Sequence, residues 1–487
     1  MDALSAAVRN RFRFPAPLGI LVVAVLVGAC RPAGAPRAIL LVTVDTTRPD
    51  HLSAYGYARS TSPNLRRLAS QGVRFQSAYT VMPTTDPSHT TMLTGLYPST
   101  HGVRRNGEVV AAPNIDTLAS WLHRRGYATG AVTARAHLDP TAIGITGFDF
   151  SDAPKPPVLT RTADQVLARV RGRLAAWSDR NWFLWVHLWE PHAPYDPEAA
   201  VRRRFYSGPL NERGDPPLLL RRPRTWVGRR PVTGASVRHI GELYDGEIAI
   251  ADAALAKLVE LAVDHAPGNS KPLVVVVSDH GEELGERQRA TGIGFGHGTL
   301  LYEEVVHVAW VLWRPRFIPP AVVQTPVSLV DLAATVSSLV DADHPLLGEG
   351  RSLARAVLHG TEPETRPVMI ERRRFSSLLG PHSSSRARQW ARLRGKWKLI
   401  YTEGGKDTGA AARGDCPGAE GGQTELYNLA VDPEERSDRS GIEPERCGSM
   451  LRALRAWIAR PQALVPSKEP KIGRRKLENL HALGYFD

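Results

Sequence analysis

A chain of 487 residues is too long for one small core and favours a large domain with a smaller companion. Its 42% hydrophobic and 23% charged residues are ordinary for a soluble globular protein. The net charge of +13 suits anionic substrates, anionic lipids or envelope polymers, although a general bias toward arginine explains it equally well. Basic and aromatic residues are not interleaved and no nucleic-acid-binding module is visible, so we expect no binding to nucleic acid.

The first 30 residues have the pattern of a targeting signal. Three arginines, at positions 9, 11 and 13, precede an apolar run over 17–27 that is too short to span a bilayer. The run ends in Val27-Gly28-Ala29-Cys30, which resembles a bacterial lipoprotein signal over 1–29 that is cleaved before Cys30. A plain secretory signal or a short anchor is the alternative. Both predict an extracytoplasmic protein, periplasmic or at the cell surface, and a lipid on Cys30 would tether it to a membrane through a linker over 30–37.

The next part of the chain alternates between strand-like and helix-like segments. Residues 38–45 are an apolar run rich in β-branched side chains, which predicts a strand buried on both faces of a parallel sheet. Further helices are predicted over 61–72, 115–125 and 166–177, and further strands over 73–79, 128–133 and 182–188. This alternation predicts a doubly wound α/β domain with a mixed, mainly parallel sheet between helices.

A segment rich in arginine, proline and glycine, residues 197–235, interrupts the alternation and predicts a surface insertion. The alternation then resumes with helices predicted over 240–263 and 329–340, and strands over 272–279 and 305–313. We place the end of the catalytic domain at residue 360, so that this domain covers 38–360.

Residues 361–487 predict a smaller C-terminal α+β subdomain. Short alternating segments over 391–401 and 424–429, followed by a helix over 450–459, indicate a short antiparallel sheet with a helix. Cys416 and Cys447 fit no common zinc motif, and in an oxidising compartment they are candidates for a disulfide.

Residues 83–95 have the composition of a helix start. Hydroxyl and carboxylate side chains, among them Thr85 and Asp86, precede Pro87, and proline is favoured in the first turn of a helix. The backbone N–H groups of a helix start bind phosphate or sulfate, and a hydroxyl beside them could attack an anionic ester. An ordinary N-cap has the same composition, so this stretch alone favours that simpler interpretation.

Two predicted strands end in an acidic residue, Asp45 in the first case and Asp279 in the second. Because ligands bind beyond the carboxyl ends of strands in open α/β sheets, both carboxylates should face one crevice. Paired carboxylates need a cation or a shared proton, whereas each acid alone could be a helix cap or part of a surface pair. His280 adds an imidazole and Thr85 a hydroxyl, and this donor set suits one divalent ion, zinc or manganese more than magnesium.

A series of short motifs follows one order along the chain from around residue 38. The motifs include Asp45-Thr46-Thr47-Arg48-Pro49-Asp50, Thr85-Asp86-Pro87-Ser88-His89, Glu190-Pro191-His192-Ala193-Pro194-Tyr195, Tyr244-Asp245-Gly246-Glu247, Ser278-Asp279-His280-Gly281-Glu282, Gly296-His297-Gly298 and Lys396-Trp397-Lys398-Leu399. Together they resemble the sulfatase family, within the alkaline-phosphatase-like superfamily. The resemblance implies that fold and a metal-dependent hydrolase of anionic esters.

The sequence departs from the family pattern at three positions. Family sulfatases carry, at the position of Thr85, a cysteine or serine that is oxidised to formylglycine, an aldehyde that threonine cannot become. Thr46 stands at the second acidic metal ligand, and His89 at the arginine that supports the nucleophile. With Thr85 and His280, the site instead resembles those of lipoteichoic acid synthases and phosphoethanolamine transferases, which use a metal-activated threonine on phosphoesters.

The resemblance also assigns ligands and secondary roles. It implies no formylglycine and a single divalent metal ion, with calcium as a further candidate, held by Asp45, Thr85, Asp279 and His280. The candidates to bind the oxyanion or to protonate the leaving group are His192 and His297. The candidate substrate-binding residues are Arg135, His137 and His89. A solvated arginine is the alternative for Arg135, and His187 is expected to pack within its strand.

These observations predict an extracytoplasmic, lipid-tethered hydrolase in which Thr85 is the nucleophile and phosphodiesters or phosphonates are preferred to sulfates. Its substrate would be a small anionic ester or an envelope-derived one. The alternative enzyme is a phosphoryl-group transferase that acts on an envelope lipid or polymer. A non-catalytic, lipid-anchored binding protein is a third interpretation, but a pure binder needs no nucleophile beside a metal.

Overall fold

The structure is a computed structural model that describes residues 34–107, 115–222, 233–287, 294–372, 387–404 and 416–460. The predicted signal over 1–29 and Cys30 lie outside these ranges. Among the residues that it does describe, no helix combines the length and the apolar character needed to cross a membrane.

The described strands form three sheets. In chain order the strands are β1 Ala38–Val44, β2 Val73–Tyr79, β3 Ala128–Val132, β4 Phe150–Asp152, β5 Trp182–Leu188, β6 Leu273–Ser278, β7 Glu283–Leu284, β8 Phe295–Gly296, β9 His307–Trp313, β10 Ala321–Val323, β11 Val327–Ser328, β12 Val368–Arg372, β13 Gln389–Arg394, β14 Trp397–Glu403 and β15 Gly422–Asn428. The largest sheet has nine strands in the order β10-β2-β9-β6-β1-β5-β3-β4, and β11 also pairs with β2. All its pairs are parallel except those of β9 with β2 and β6, which confirms a mixed, mainly parallel sheet.

Strand β1 lies inside the large sheet and is covered on both faces. Leu40 and Val42 pack into one hydrophobic core, while Ile39 and Leu41 pack into another. All four side chains are fully buried. Because successive side chains of a strand point to opposite faces, only a continuous apolar run can fill both cores, which is why this strand was visible in the sequence.

Helices cover both faces of the large sheet. The α-helices are Pro63–Ser70, Thr85–Thr94, Pro98–His101, Leu118–His123, Ala163–Ala175, Ala199–Phe205, Leu218–Arg221, Gly234–Asp264, Glu303–Val306, Asp331–Val340, Ala354–His359 and Pro444–Ile458. Four of them, beginning at Pro63, Ala163, Leu218 and Gly234, pack into the core that contains Leu40. Those beginning at Thr85, Leu118, Asp331 and Ala354 pack into the core on the other face. This is the predicted doubly wound arrangement.

A separate antiparallel sheet, β12–β15, forms the C-terminal part with the helix Pro444–Ile458 against it. The structure joins Cys416 to Cys447 by a disulfide, with 5.5 Å between their Cα atoms. The fold class predicted from the sequence, an α/β domain with a small antiparallel sheet at its C-terminal side, is therefore confirmed.

Several predicted bounds differ from the observed ones. The single strand predicted over 391–401 is a hairpin, β13 and β14, because Gly395 turns the chain with a left-handed φ of +57°. The helix predicted over 240–263 begins at Gly234, where the Thr233 side chain caps it by accepting from the N–H of Ser236. Part of the predicted insertion, residues 223–232, lies outside the described ranges.

Candidate active site

Asp45 and Asp279 lie side by side at the carboxyl edge of the large sheet. Asp45 directly follows β1 and Asp279 directly follows β6, and these neighbouring parallel strands end in register, with Val44 opposite Ser278. Both acids are fully buried. The structure thus brings the two predicted acids together where the ends of parallel strands form ligand sites.

Thr85 and His280 complete this group, which we call the Asp45 cluster. Thr85 begins the helix Thr85–Thr94, and its Oγ1 atom lies 3.4 Å from Nε2 of His280. The same nitrogen lies 3.4 Å from Oδ2 of Asp279 and 3.9 Å from Oδ1 of Asp45. One imidazole nitrogen therefore faces both carboxylates and the hydroxyl, an arrangement that fits a ligand set around one ion.

Two backbone features hold the chain ends of β1 and β6 in this geometry. Thr46 has a left-handed φ of +50°, its N–H donates to Oδ1 of Asp279 at 3.0 Å, and its carbonyl accepts from the Tyr244 hydroxyl at 2.6 Å. A β-branched residue rarely adopts this conformation, so the hydrogen bonds offset backbone strain. Gly281 lies so close to Glu304 that a Cβ on it would be 2.0 Å from the Glu304 carbonyl oxygen, so only glycine fits there.

The carboxylates of the Asp45 cluster fit a bound cation. Within the described ranges, both carboxylate oxygens of Asp45 and the Oδ2 atom of Asp279 have no hydrogen-bond partner. Burial raises the pKa of both acids, and the charge of Asp45 raises that of Asp279 further. Leaving a buried charge uncompensated costs on the order of several kcal/mol. The ligand atoms of Asp45, Asp279 and His280 lie within 4.8 Å of one another, so one cation could compensate both acids.

His280 is held in the form that binds a metal ion. Its Nδ1 atom lies 2.9 Å from the carbonyl oxygen of Gly281, which can only accept, so Nδ1 carries the proton and Nε2 the lone pair. Burial, and then the neighbouring His297, lowers the pKa of His280 to about 3. The neutral ring therefore presents Nε2 to the two acids.

Two further neutral histidines contact the Asp45 cluster. The Nδ1 atom of His89 donates to the carbonyl of Thr85 at 2.8 Å and lies 3.7 Å from Oδ2 of Asp279. The Nε2 atom of His187, on β5, lies 3.4 Å from Oδ2 of Asp45. Burial lowers the pKa of His89 to about 3 and that of His187 well below its ordinary value. His187 thus lies against a candidate ligand as well as within its strand, and a histidine in an apolar run carries no sequence signal for that contact.

Arg135 and His137 form a chain of contacts that reaches the helix start. Arg135 is only 1% exposed, and its guanidinium lies 3.5 Å from the centre of the Trp189 ring, so it is not the solvated arginine of the alternative interpretation. Its Nε atom lies 3.5 Å from Nε2 of His137, whose Nδ1 atom lies 2.6 Å from Oδ1 of Asp86. The other oxygen of Asp86 accepts from the N–H of Gly107 at 2.6 Å.

His297 and His192 extend the site away from Asp45. The ring centres of His280 and His297 are 4.4 Å apart, and those of His297 and His192 are 5.2 Å apart. The Nδ1 atom of His297 lies 3.0 Å from Oε1 of the buried Glu282. The sequence analysis assigned no role to Glu282 or to Asp86. Both lie inside the motifs given above, and membership in those motifs was the signal that could have identified them.

Comparisons with known proteins show which family the chain belongs to. The profile of the sulfatase family matches residues 37–342, which is more than half of the chain. Over 385 residues the chain is 23% identical to YidJ, an uncharacterised sulfatase of Escherichia coli K12, and the match covers 69% of this chain and 73% of that protein.

Two solved structures show the same fold. The protein BT4656, in complex with its substrate D-glucosamine-2-N,6-O-disulfate, has a TM-score of 0.69 at 16% identity, covering 88% of this chain and 100% of that one. A phosphonate monoester hydrolase from Silicibacter pomeroyi has a TM-score of 0.61 at 18% identity, covering 86% of this chain and 94% of that one.

The match to the sulfatase profile, on a mainly parallel sheet between helices, defines an ester hydrolase of the alkaline-phosphatase-like superfamily. Within that superfamily the chain belongs to the sulfatase family, as a hydrolase of sulfate or phosphate esters. Sulfatases are metal-dependent, and the structure contains buried groups that could hold a metal ion.

Proposed function

We propose that the protein hydrolyses phosphodiesters or phosphonate esters in preference to sulfate esters, with Thr85 as the nucleophile. The observation that carries this proposal is the position of the Thr85 hydroxyl, 3.4 Å from Nε2 of His280 at the first residue of a helix. The positive end of the helix dipole at this residue favours negative charge. An anionic ester bound beside the helix start would hold its central atom next to the hydroxyl.

The side chain of Thr85 argues for phosphorus over sulfur. Formylglycine is an aldehyde, and the Cβ of threonine carries a methyl group, so its oxidation cannot yield one. A threonine hydroxyl can instead form a covalent ester with phosphorus, as in the threonine-dependent enzymes that the sequence resembles. One of the structural neighbours, the phosphonate monoester hydrolase, has the same fold.

The reaction that we propose has two displacements. A divalent ion in the Asp45 cluster, zinc or manganese by its oxygen and nitrogen donors, would supply the positive charge that activates a hydroxyl and polarises the ester. The hydroxyl of Thr85 gives up its proton to water, and its oxygen forms a bond to phosphorus while the bond from phosphorus to the leaving oxygen breaks. His192 or His297 donates a proton to that oxygen. Water then hydrolyses the threonine ester, which restores the hydroxyl and releases the acid.

Arg135 is the proposed ligand of the remaining substrate oxygens, together with His137 and His89. The Arg135 guanidinium is buried against Trp189, and a buried arginine attracts an anion far more strongly than a solvated one. The contact of His137 with Asp86 fixes this group relative to the helix that begins at Thr85.

The cellular location is also a proposal. A lipid on Cys30 would hold the enzyme at a membrane surface, in the periplasm or at the cell surface, as the targeting pattern of the first 30 residues predicts. Small anionic esters and envelope-derived ones are the substrates available there. When cells are grown with a radioactive fatty acid, we expect the wild-type protein to incorporate the label and a Cys30→Ala variant to lack it. Label that persists in the variant would contradict the lipid anchor.

The catalytic test uses the full-length protein in detergent, supplied with zinc or manganese. An aryl sulfate, an aryl phosphate, an aryl phosphodiester and an aryl phosphonate are assayed side by side, with and without an acceptor alcohol to detect transfer. We expect the highest kcat/KM on the phosphodiester or the phosphonate, and a loss on the order of 10³-fold or more in Thr85→Ala. Thr94→Ala, a buried threonine in the same helix, is the matched control. Preference for the sulfate, or full activity without the Thr85 hydroxyl, contradicts the proposal.

A further inference from the structure

A second set of metal-ligating side chains adjoins the Asp45 cluster. His192, Glu282 and His297 each offer one ligand atom, and the three atoms lie within 4.8 Å of one another. Their exposed fractions are 4%, 1% and 5%, so the set is buried. We propose that these three residues, the Glu282 cluster, bind a second divalent cation, in addition to the single ion that the sequence predicts for the Asp45 cluster.

The sheet topology explains how three distant segments meet at this point. Strands β6 and β5 flank β1 on either side, so the segments that leave their carboxyl ends lie on either side of Asp45. Glu282 lies on the segment after β6, and His192 lies on the turn after β5. His297 follows β8, which pairs with β7 directly after Glu282. The second cluster is therefore built on the same sheet edge as the first.

The imidazole of His192 is held with its metal-binding nitrogen defined. Its Nδ1 atom lies 2.7 Å from the carbonyl oxygen of Ala193, which can only accept, so the proton is on Nδ1 and the lone pair on Nε2. The ring also stacks on Trp189, with ring centres 3.6 Å apart. A ring fixed by both contacts loses little conformational freedom when it binds an ion.

The pair of Glu282 and His297 has a spacing that a bound ion can accommodate. Oε1 of Glu282 lies 3.0 Å from Nδ1 of His297. Two atoms bound tetrahedrally to one zinc ion at ~2.0–2.1 Å lie about 3.3 Å apart, so both could be ligands of one ion after a small adjustment. Two imidazoles and one carboxylate form a donor set that suits zinc.

The Asp45 cluster and the Glu282 cluster lie next to each other. Gly281 alone separates His280 of the first cluster from Glu282 of the second in the chain, and the His280 and His297 rings are 4.4 Å apart. In two-metal phosphoryl-transfer sites the ions lie about 3.5–4 Å apart and stabilise the attacking and the leaving oxygen of one displacement. That role for the second cation rests on the proposed function, because Thr85 must be the attacking group, but the binding of the cation can be measured without it. In that role the cation would stabilise the leaving oxygen in place of a proton from His192 or His297, because both histidines would then be its ligands.

The test is a metal count on the full-length protein. The protein is stripped with a chelator, reloaded with excess zinc and passed through a desalting column, and its zinc content is measured by mass spectrometry. We expect two ions per chain in the wild type, one in Glu282→Gln, one in Asp279→Asn and none in the double variant. Glu283→Gln is the matched control, because Glu283 is the next residue, is fully buried and lies outside the cluster, so it should keep both ions.

The variants separate failure of this inference from failure of the proposed function. Circular dichroism establishes whether each variant folds. If Glu282→Gln does not fold, His192→Gln replaces it and should likewise lose one zinc ion per chain. A wild-type content of one ion, or two ions retained in Glu282→Gln, overturns the second site. In a wild type that binds only one ion, loss of this ion in Asp279→Asn assigns it to the Asp45 cluster and leaves the proposed function standing. Retention of this ion in Asp279→Asn means that the proposed function fails as well.

Discussion

The Nδ1 atom of His137 lies 2.6 Å from Oδ1 of Asp86, the residue directly after Thr85. The backbone N–H of Asp86 donates to Asn106 at 2.8 Å, and its second carboxylate oxygen accepts from Gly107 at 2.6 Å. One buried acid therefore connects the start of the helix, the 104–107 loop and a proposed ligand of the substrate. We infer that Asp86 is a positioning residue for His137.

Asp86→Asn should raise KM for an anionic ester more than it lowers kcat. The amide cannot match the charge-assisted hydrogen bond to His137, so we expect KM to rise on the order of tenfold, since small displacements of a positioning group are costly. Asp116→Asn, which removes an acid from an exposed pair with Arg124, is the control and should change neither constant. Steady-state kinetics on both variants measure these changes in KM and kcat. If Asp86→Asn lowers the melting temperature but leaves KM unchanged, the role of Asp86 is structural only.

Glu247 should make the free energy of unfolding depend on pH. Burial, and then the neighbouring Glu190, raises the pKa of Glu247 from 4.5 to about 8. Between these values the folded protein keeps a proton that the unfolded chain has released, so the free energy of unfolding falls as pH rises. Glu247→Gln keeps an acceptor for the N–H of Asp196 and removes this dependence.

The stability of Glu247→Gln relative to the wild type should therefore increase from about pH 5 to about pH 8, by a few kcal/mol at most, since each unit of pKa shift is worth ~1.4 kcal/mol. Denaturant unfolding of both proteins at several pH values measures the difference. Glu260→Gln, an exposed acid on the same helix, is the control. Parallel pH curves for wild type and Glu247→Gln would refute the prediction.

Lys398 should be one of the costliest residues to neutralise. Its ammonium is fully buried and lies 2.8 Å from Oε1 of Glu303 and 2.9 Å from Oε1 of Glu435. Although burial alone would lower it, these two carboxylates raise the pKa of Lys398. Lys398→Met removes from both acids the cation nearest to them, which should cost about 3–5 kcal/mol of the free energy of unfolding. Lys396→Met, two residues earlier and exposed, should cost far less, and equal losses in the two variants would argue against a buried ion-pair role.

The disulfide should stabilise the C-terminal part of the chain. Cys416 and Cys447 are 31 residues apart, and closing a loop of that length in the unfolded chain is worth roughly 3–4 kcal/mol in the chain-entropy model. The wild type should unfold at a lower temperature with a reductant than without one. A Cys416→Ala, Cys447→Ala double variant should unfold at the same temperature in both conditions. Unchanged unfolding of a wild type whose thiols are shown to be reduced would contradict it.

Local sequence patterns were enough to locate the strands and acids of the site. The runs of β1 and β6 stand out because a strand buried on both faces consists mostly of apolar, β-branched side chains. Each run ends in an acid, so Asp45 and Asp279 could be assigned to one crevice before any strand order was known. The helix start at Thr85 was visible for a similarly local reason, since hydroxyls, an acid and Pro87 are typical of a first helical turn.

Other parts of the site depend on contacts between residues far apart in the chain. The order β6-β1-β5 brings His187 to 3.4 Å from Asp45 and His192 to the same edge as Glu282, and strand order follows from packing rather than from any single segment. The contact of Asp86 with His137 joins residues 51 positions apart. The chemistry proposed for Thr85 thus rests on the residue itself. The grouping of two histidines with Glu282 beside it required the folded sheet, because the burial and the distances among these groups exist only there.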